Sequence, residues 1–418
     1  MTSKVLPLRR LFRIVNGGTP TPDAENWGGD IPWATPADFG ETFGPLRTTR
    51  RSLTRKGVNT GSTVVPKGAI LLSTRAPIGY VAVSEVAMAF NQGCRALVPT
   101  VDVDSRFFGY QLESAKEYLQ AQGLGTTFLE LSSSALAQVP VVAPSREQQR
   151  RIADFLDAET ARFEALAYKR ARQIEGLAER ELALIVDMLS GSCKSGEGRP
   201  TGWPWLPEIP AEWSVGPVYA YFSTELGKML NAERASGPDQ RPYLRNANVH
   251  WYTIETDDLA SMDFSPDEVS RYSVRQGDLL VCEGGAGVAE AAVWDGRLQE
   301  CYFQKSLHRV RRAGPVPVEW LMYWLRLAKA CGVFEAEGNI ATIPHLTGEQ
   351  LRQYRIPIPN DGDSLVKRIG EEIAGLTSVR TKLMQAQNLL AERRQTLITA
   401  AVTGQIDVSA ASGRGIEE

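Results

Sequence analysis

The chain has 418 residues, 43% of them hydrophobic and 23% charged, which excludes a disordered polypeptide and leaves room for two or three domains. Net charge is −3, unlike a stand-alone non-specific DNA binder, whose affinity comes from neutralising phosphates. The charge is unevenly spread: residues 1–145 carry 14 Lys and Arg against 11 Asp and Glu, residues 200–360 carry 15 against 20. A DNA reader of this composition must concentrate its cations in loops or borrow charge from partners. Apolar runs such as Gly79–Phe90 are shorter than the ~20 residues of a membrane span. Met1–Phe12 lacks a signal-peptide core. Cys94, Cys193, Cys282, Cys301 and Cys331 have neither paired nor metal-type spacing, so a reducing cytoplasm is expected and no metal site.

In chain order, Gly17–Pro22 reads as a loop, and Lys67-Gly68-Ala69 as a turn into a buried strand, Ile70–Ser73. Tyr80–Val83 is the next strand, and Phe107–Gln122 a helix with Phe108, Leu112 and Leu119 at helical spacing. Val139–Val142 is a short strand closed by Pro144. Ser145, with Gln148 three residues on, is a capping box opening a Pro-free run to Ser190. That run would span ~65 Å as a helix, a length that calls for a partner helix.

The pattern then repeats with a period of roughly 210 residues. Pro32–Phe39 lines up with Pro242–Val249, Lys67-Gly68 with Gln276-Gly277, and Phe90-Asn91-Gln92 with Phe303-Gln304-Lys305. Gly123–Ser145 aligns without a gap on Gly338–Asn360. Arg151-Ile152 matches Arg368-Ile369, Ala178-Glu179-Arg180 matches Ala391-Glu392-Arg393, and the helices end alike at Ser190-Gly191 and Thr403-Gly404. Trp320–Phe334 reads as the second helix of its type and Ile356–Ile358 as the closing strand. In the second long helix Ile369, Leu376, Leu383, Leu390 and Leu397 recur every seven residues, a coiled-coil seam. The first answers with Leu156, Phe163, Leu177 and Leu184, interrupted by Arg170. The expected fold is α+β: two similar mixed α/β domains joined by two long antiparallel coiled-coil helices in a pseudo-twofold internal repeat.

Several stretches resemble the specificity subunits of type I restriction-modification systems (HsdS-like). They are Asn16-Gly17-Gly18-Thr19-Pro20, Trp27–Trp33, Leu71–Gly79, Asn91-Gln92-Gly93-Cys94, Pro144–Gln149 with Ile152-Ala153, and the junction Trp205–Trp213. The resemblance implies a first target-recognition domain over residues 1–145, a first spacer helix over 146–192 and a linker over 193–203. It implies a second recognition domain over 204–360, a second spacer helix over 361–403 and a tail over 404–418. Each domain would read half of a bipartite double-stranded DNA target, while the helices set the spacing and dock two adenine methyltransferase subunits. Motor-endonuclease subunits would add to these. No cofactor is expected in this chain; S-adenosylmethionine, ATP and Mg are expected on the partner subunits, and no membrane is involved. The second domain departs from the family pattern at Pro242–Val249 and Glu283–Gly287, which fits a different half-site.

Candidate DNA contacts in the first domain are Arg47, Arg50, Arg51, Arg55, Lys56 and Arg75, because Arg can hold phosphate or grip guanine. Thr126 and Thr127 could approach a groove, matched by Asn339 and Thr342. In the second domain Arg241, Arg245, Asn246 and Asn248 combine cations with amides suited to adenine edges. Arg309, Arg311 and Arg312 read as a strand end with exposed charge, and each cluster can equally be a solvated loop. His250, His308 and His345 lie apart with no ligand spacing, Gly284–Gly287 lacks a phosphate-loop Lys, and no catalytic motif is visible. The alternative is a coiled-coil scaffold whose duplicated domains bind proteins; a small-molecule enzyme lacks a convergent acid, base or metal set.

Overall fold

The computed structural model describes residues 4–75, 77–123, 129–191, 198–231, 235–336 and 345–408. The chain divides into two compact units, Met1–Ala171 with Gln385–Glu418, and Arg172–Met384.

In unit one, β1 (Lys4–Pro7) pairs antiparallel with β8 (Pro140–Ala143), the strand just before the long helix. Between them lie β2 (Phe12–Asn16), β3 (Trp27–Ala34), β4 (Ile70–Ser73), β5 (Val81–Ser84), β6 (Met88–Phe90) and β7 (Cys94–Pro99). The main sheet runs β2-β7-β4-β5 in antiparallel pairs, with Gly44–Leu46 parallel to β5 at its edge. All four residues of β4 are buried, as a continuous apolar run bounded by a turn requires. β3 and β6 pair in parallel, Trp33 opposite Ala89. The helix expected over 107–122 forms as α1 (Ser105–Ser114) and a further turn, Lys116–Ala121. α2 (Arg146–Leu189) follows β8, and Ser145 caps it reciprocally: Gln148 N donates to Ser145 Oγ at 3.3 Å and Ser145 N to Gln148 Oε1 at 3.2 Å.

Unit two repeats this topology. β9 (Ser214–Pro217) pairs with β16 (Arg355–Ile358). β10 (Phe222–Leu226), β15 (Leu307–Arg312), β12 (Leu279–Cys282) and β13 (Ala291–Val293) make the sheet in that order. β11 (Gln240–Leu244) runs parallel to β14 (Tyr302–Phe303). α3 (Val318–Ala330) takes the place of α1, and α4 (Gly362–Thr403) follows β16. Residues 198–203, expected as linker, are instead a strand paired with Leu206–Pro210. Gly191 and Gly404 close α2 and α4 at φ 66° and 75°, the left-handed turn that glycine adopts without Cβ strain.

Each unit buries one end of both long helices under its own domain. In unit one the core joins Phe12, Phe107, Phe108 and Leu112 to Ala153 and Leu156 of α2 and Ile398, Ala401 and Val402 of α4. In unit two it joins Trp320, Leu321 and Trp324 to Ile185, Met188 and Leu189 of α2 and Ile369 and Ile373 of α4. The start of one helix thus meets the end of the other, so the pair is antiparallel. The Leu, Ile, Val, Phe and Met side chains among them each contribute about 1.5–3 kcal/mol on burial. Between residues 161 and 176 the less exposed positions of α2 are Phe163, Ala167, Arg170 and Ile174, the three-four spacing of a seam. In α4 Leu376, Leu383 and Leu390 are half-buried, alternating with Arg380, Gln387 and the buried Arg394; Leu177, Leu184 and Leu397 are likewise half-buried.

Candidate nucleic-acid interface

Antiparallel register at one end of the main sheet of unit one places Asn16 of β2 opposite Arg95 of β7, and Cys94 opposite Ser73 of β4. Arg95 spreads its guanidinium over this rim. Its Nε donates to Ser133 Oγ at 2.9 Å, one terminal nitrogen to the Gln92 carbonyl at 2.9 Å and the other to Glu130 at 3.0 Å. Ser133 Oγ passes its own proton to Asn16 Oδ1 at 2.7 Å. The second Glu130 oxygen holds Arg75 at 3.1 Å, leaving the Arg75 side chain half exposed. Gln92 in turn accepts from the Thr19 hydroxyl. Arg75 is therefore a positioned cation at the edge of a polar rim. Thr126, Thr127, Asn339 and Thr342 lie outside the described residues.

The remaining basic residues of this domain fall into two groups. The Arg51 guanidinium lies 3.5 Å from the Trp27 ring centre and 5.5 Å from that of Trp33, a cation–π stack, and Lys56 pairs with Glu25. Arg47, Arg50 and Arg55 are exposed and form no ion pair among the described residues; only the Arg50 backbone N–H is engaged, by Asp38 at 2.8 Å.

In unit two the equivalent rim has different chemistry. Where β7 carries Arg95, β15 carries His308, opposite Leu226 in the same register. His308 Nε2 meets the Leu346 carbonyl at 2.7 Å. Burial lowers its pKa, more than that contact and Glu283 raise it. The bridge that joins Arg75 to Glu130 in unit one joins Gly284 to His345 here. Asn246 Nδ2 donates to the Gly284 carbonyl at 2.8 Å, and its Oδ1 has no hydrogen-bond partner among the described residues. Arg245 pairs with Asp258 at 2.6 Å, and Arg241 with Glu300 beside Tyr302.

Two expectations need correction. Asn248 is buried and its amide closes a turn, accepting from Arg245 N at 3.0 Å and donating to the Asp258 carbonyl at 3.3 Å, so it cannot reach a base edge. Arg309 is not exposed: it is buried, donates to the Arg271 and Ser273 carbonyls at 2.6 and 2.8 Å, and has its pKa pulled down to about 10 by burial and by Arg311. Arg311 and Arg312 are held by Asp278 and Asp363. The Arg95 hub was missed in the sequence, although it directly follows Asn91-Gln92-Gly93-Cys94.

Among the described residues no group of three or more His, Cys, Asp and Glu could hold a metal, and no helix is long and apolar enough to cross a membrane. Burial pushes the Cys94, Cys282 and Cys301 thiols up to about 12, so they are unreactive.

Residues 2–175 match the type I restriction modification DNA specificity domain. The matched residues lie almost entirely in unit one. Over 258 residues, 60% of this chain and 57% of the relative, the chain is 33% identical to the type I restriction enzyme MjaIX specificity subunit of Methanocaldococcus jannaschii. It is 26% identical over 181 residues, 42% of this chain and 40% of the relative, to the putative MjaX specificity subunit of the same organism. The matches thus span less than two thirds of either relative. The fold is similar to a solved chain described under complex assembly and conformational transition of the type I R-M system, with a TM-score of 0.71 at 13% identity, over 96% of this chain and 98% of that one. The chain is thus similar in sequence to type I specificity subunits over part of its length, and unit two repeats the topology of unit one.

Proposed function

We propose that the chain is the sequence-specific DNA-recognition subunit of a type I restriction-modification complex, itself without catalytic activity. Each recognition domain reads one half of a bipartite double-stranded target, and the paired helices set the spacing and dock two adenine methyltransferase subunits. Motor-endonuclease subunits then add to that assembly.

The observation that supports this reading most directly is one scaffold built twice with unlike rims. The strands, the register and the caps repeat, whereas Arg75, Glu130 and Arg95 are replaced by Gly284, His345 and His308. Packing alone gives a duplicated domain no reason to change its exposed rim while keeping its core. Reading two different half-sites does, because base edges are distinguished by the donors and acceptors presented to them. Backbone contacts from Arg47, Arg50 and Arg55 would supply register on the duplex without sequence information. The exposed Leu166, Tyr168, Val379, Met384 and Leu389 of the long helices suit a protein partner lying along them.

The test is to co-produce the chain with its methyltransferase subunit and map methylated adenines in a host with and without it. A bipartite motif that appears only with the chain is the expected result. A complex that assembles yet binds all duplexes equally would leave the scaffold reading in its place.

A further inference from the structure

In unit one Arg394 of α4 donates to both oxygens of Glu113 in α1, at 2.9 and 3.4 Å, and both residues are buried. In unit two Arg326 of α3 donates to Glu181 of α2 at 2.9 Å. Glu181 is 1% exposed and also receives Tyr252 Oη at 2.8 Å and Arg380.

The two pairs stand at equivalent places. Tyr110, Leu112, Glu113, Ala115 and Lys116 align with Tyr323, Leu325, Arg326, Ala328 and Lys329. On the long helices Ala178-Glu179-Arg180-Glu181 aligns with Ala391-Glu392-Arg393-Arg394, and Leu177 and Leu184 flank Glu181 as Leu390 and Leu397 flank Arg394. The polarity is reversed: in unit one the domain carries the acid and the long helix the base, and in unit two the opposite holds.

We propose that this reversal is a pairing code directed against a second copy of the chain, admitting each domain only onto the long-helix end of the unlike repeat. Because the repeats are duplicates, their apolar faces discriminate poorly: Ile185, Met188 and Leu189 fill the place that Ile398, Ala401 and Val402 fill in the other unit. A first domain docked on the α2 end of another copy would bury Glu113 against Glu181. A second domain docked on another copy's α4 end would bury Arg326 against Arg394. Arg380 offers no relief when the incoming domain brings its own α2 into the place of α4, since the position of α2 equivalent to Arg380 is Ala167. Both like pairings bury two charges of one sign, and both unlike pairings are complementary. Specificity arises here from the wrong pairing being repelled.

The test uses the full chain. Glu113→Arg alone sets Arg beside Arg394 and is expected to lower the melting midpoint of unit one by several degrees. Adding Arg394→Glu restores the pair and the midpoint. That double variant carries Arg on both domains and Glu on both helices, so like and unlike pairings become equally complementary. On refolding at rising protein concentration it is expected to yield a growing dimer fraction by native mass spectrometry, where the wild type returns as one monomeric mass. Glu113→Gln with Arg394→Gln removes the repulsion without new charge and is expected to do the same. Monomeric refolding of both double variants, or dimers from the wild type in equal amount, would overturn the proposal and leave the pairs as packing contacts.

Discussion

Arg95 and Glu130 meet at 3.0 Å, tying the second residue of β7 to a segment 35 positions away. The contact fixes the half-exposed Arg75 through the second oxygen of the same carboxylate.

Arg95→Ala would leave Ser133 and Asn16 without their anchor and Glu130 with one cation instead of two. A loss of about 0.5–1.5 kcal/mol in unit one is expected, the net worth of hydrogen bonds whose partners Ser133 and Glu130 are half-buried and Asn16 exposed. In the assembled complex, discrimination at one half-site should relax while the other is unchanged. Methylation of targets altered in one half at a time measures this.

Arg47, Arg50 and Arg55 are exposed and unpaired among the described residues, so replacing all three with Ala should leave the melting midpoint in place. If each holds a phosphate, the slope of log affinity against log salt should shrink by as much as about 2.7, at roughly 0.9 per contact. An unchanged slope would return these residues to an ordinary solvated surface.

Glu181 shows how a buried carboxylate is kept charged. Burial pushes its pKa up, but donation from Arg380, Arg326 and Tyr252 outweighs this and holds it below the usual value. Its stabilisation is therefore present above the unfolded pKa and lost as pH falls through the lower folded one. Glu181→Gln should cost about 3–5 kcal/mol near neutral pH, leaving two arginines unpaired. It should also flatten the acid side of the unit-two stability curve, followed by thermal melting from neutral pH into the acid range.

His308 has the opposite charge type and the same pH direction. Its folded pKa is lowered, so the unfolded chain takes up a proton first, and stability falls as pH drops below about 6.5. The wild type should lose melting temperature in that window faster than His308→Gln does. Equal slopes for the two proteins would show that the His308–Leu346 contact is not the pH-sensitive element.

The duplication, the two long helices and their caps were legible in the residues, because strand runs, heptads and capping boxes are local patterns with a short period. Half of each seam was also legible, through Leu156, Phe163, Leu177, Leu184 and the Ile369–Leu397 series. The other half was not, since Thr160, Arg380 and Arg394 do not look like seam residues until their partners are known.

Linear order alone therefore determined that one α/β unit and one long helix occur twice, since hydrophobic periodicity and turn chemistry act between near neighbours. Only the tertiary structure decided what each charge does: Arg51 rests on Trp27, Asn248 closes a turn, Arg309 is buried, and Glu113 meets Arg394 across 281 positions. A charged side chain takes its role from whichever dipole or counter-ion the folded backbone brings within a few ångströms, and sequence separation carries no trace of that distance.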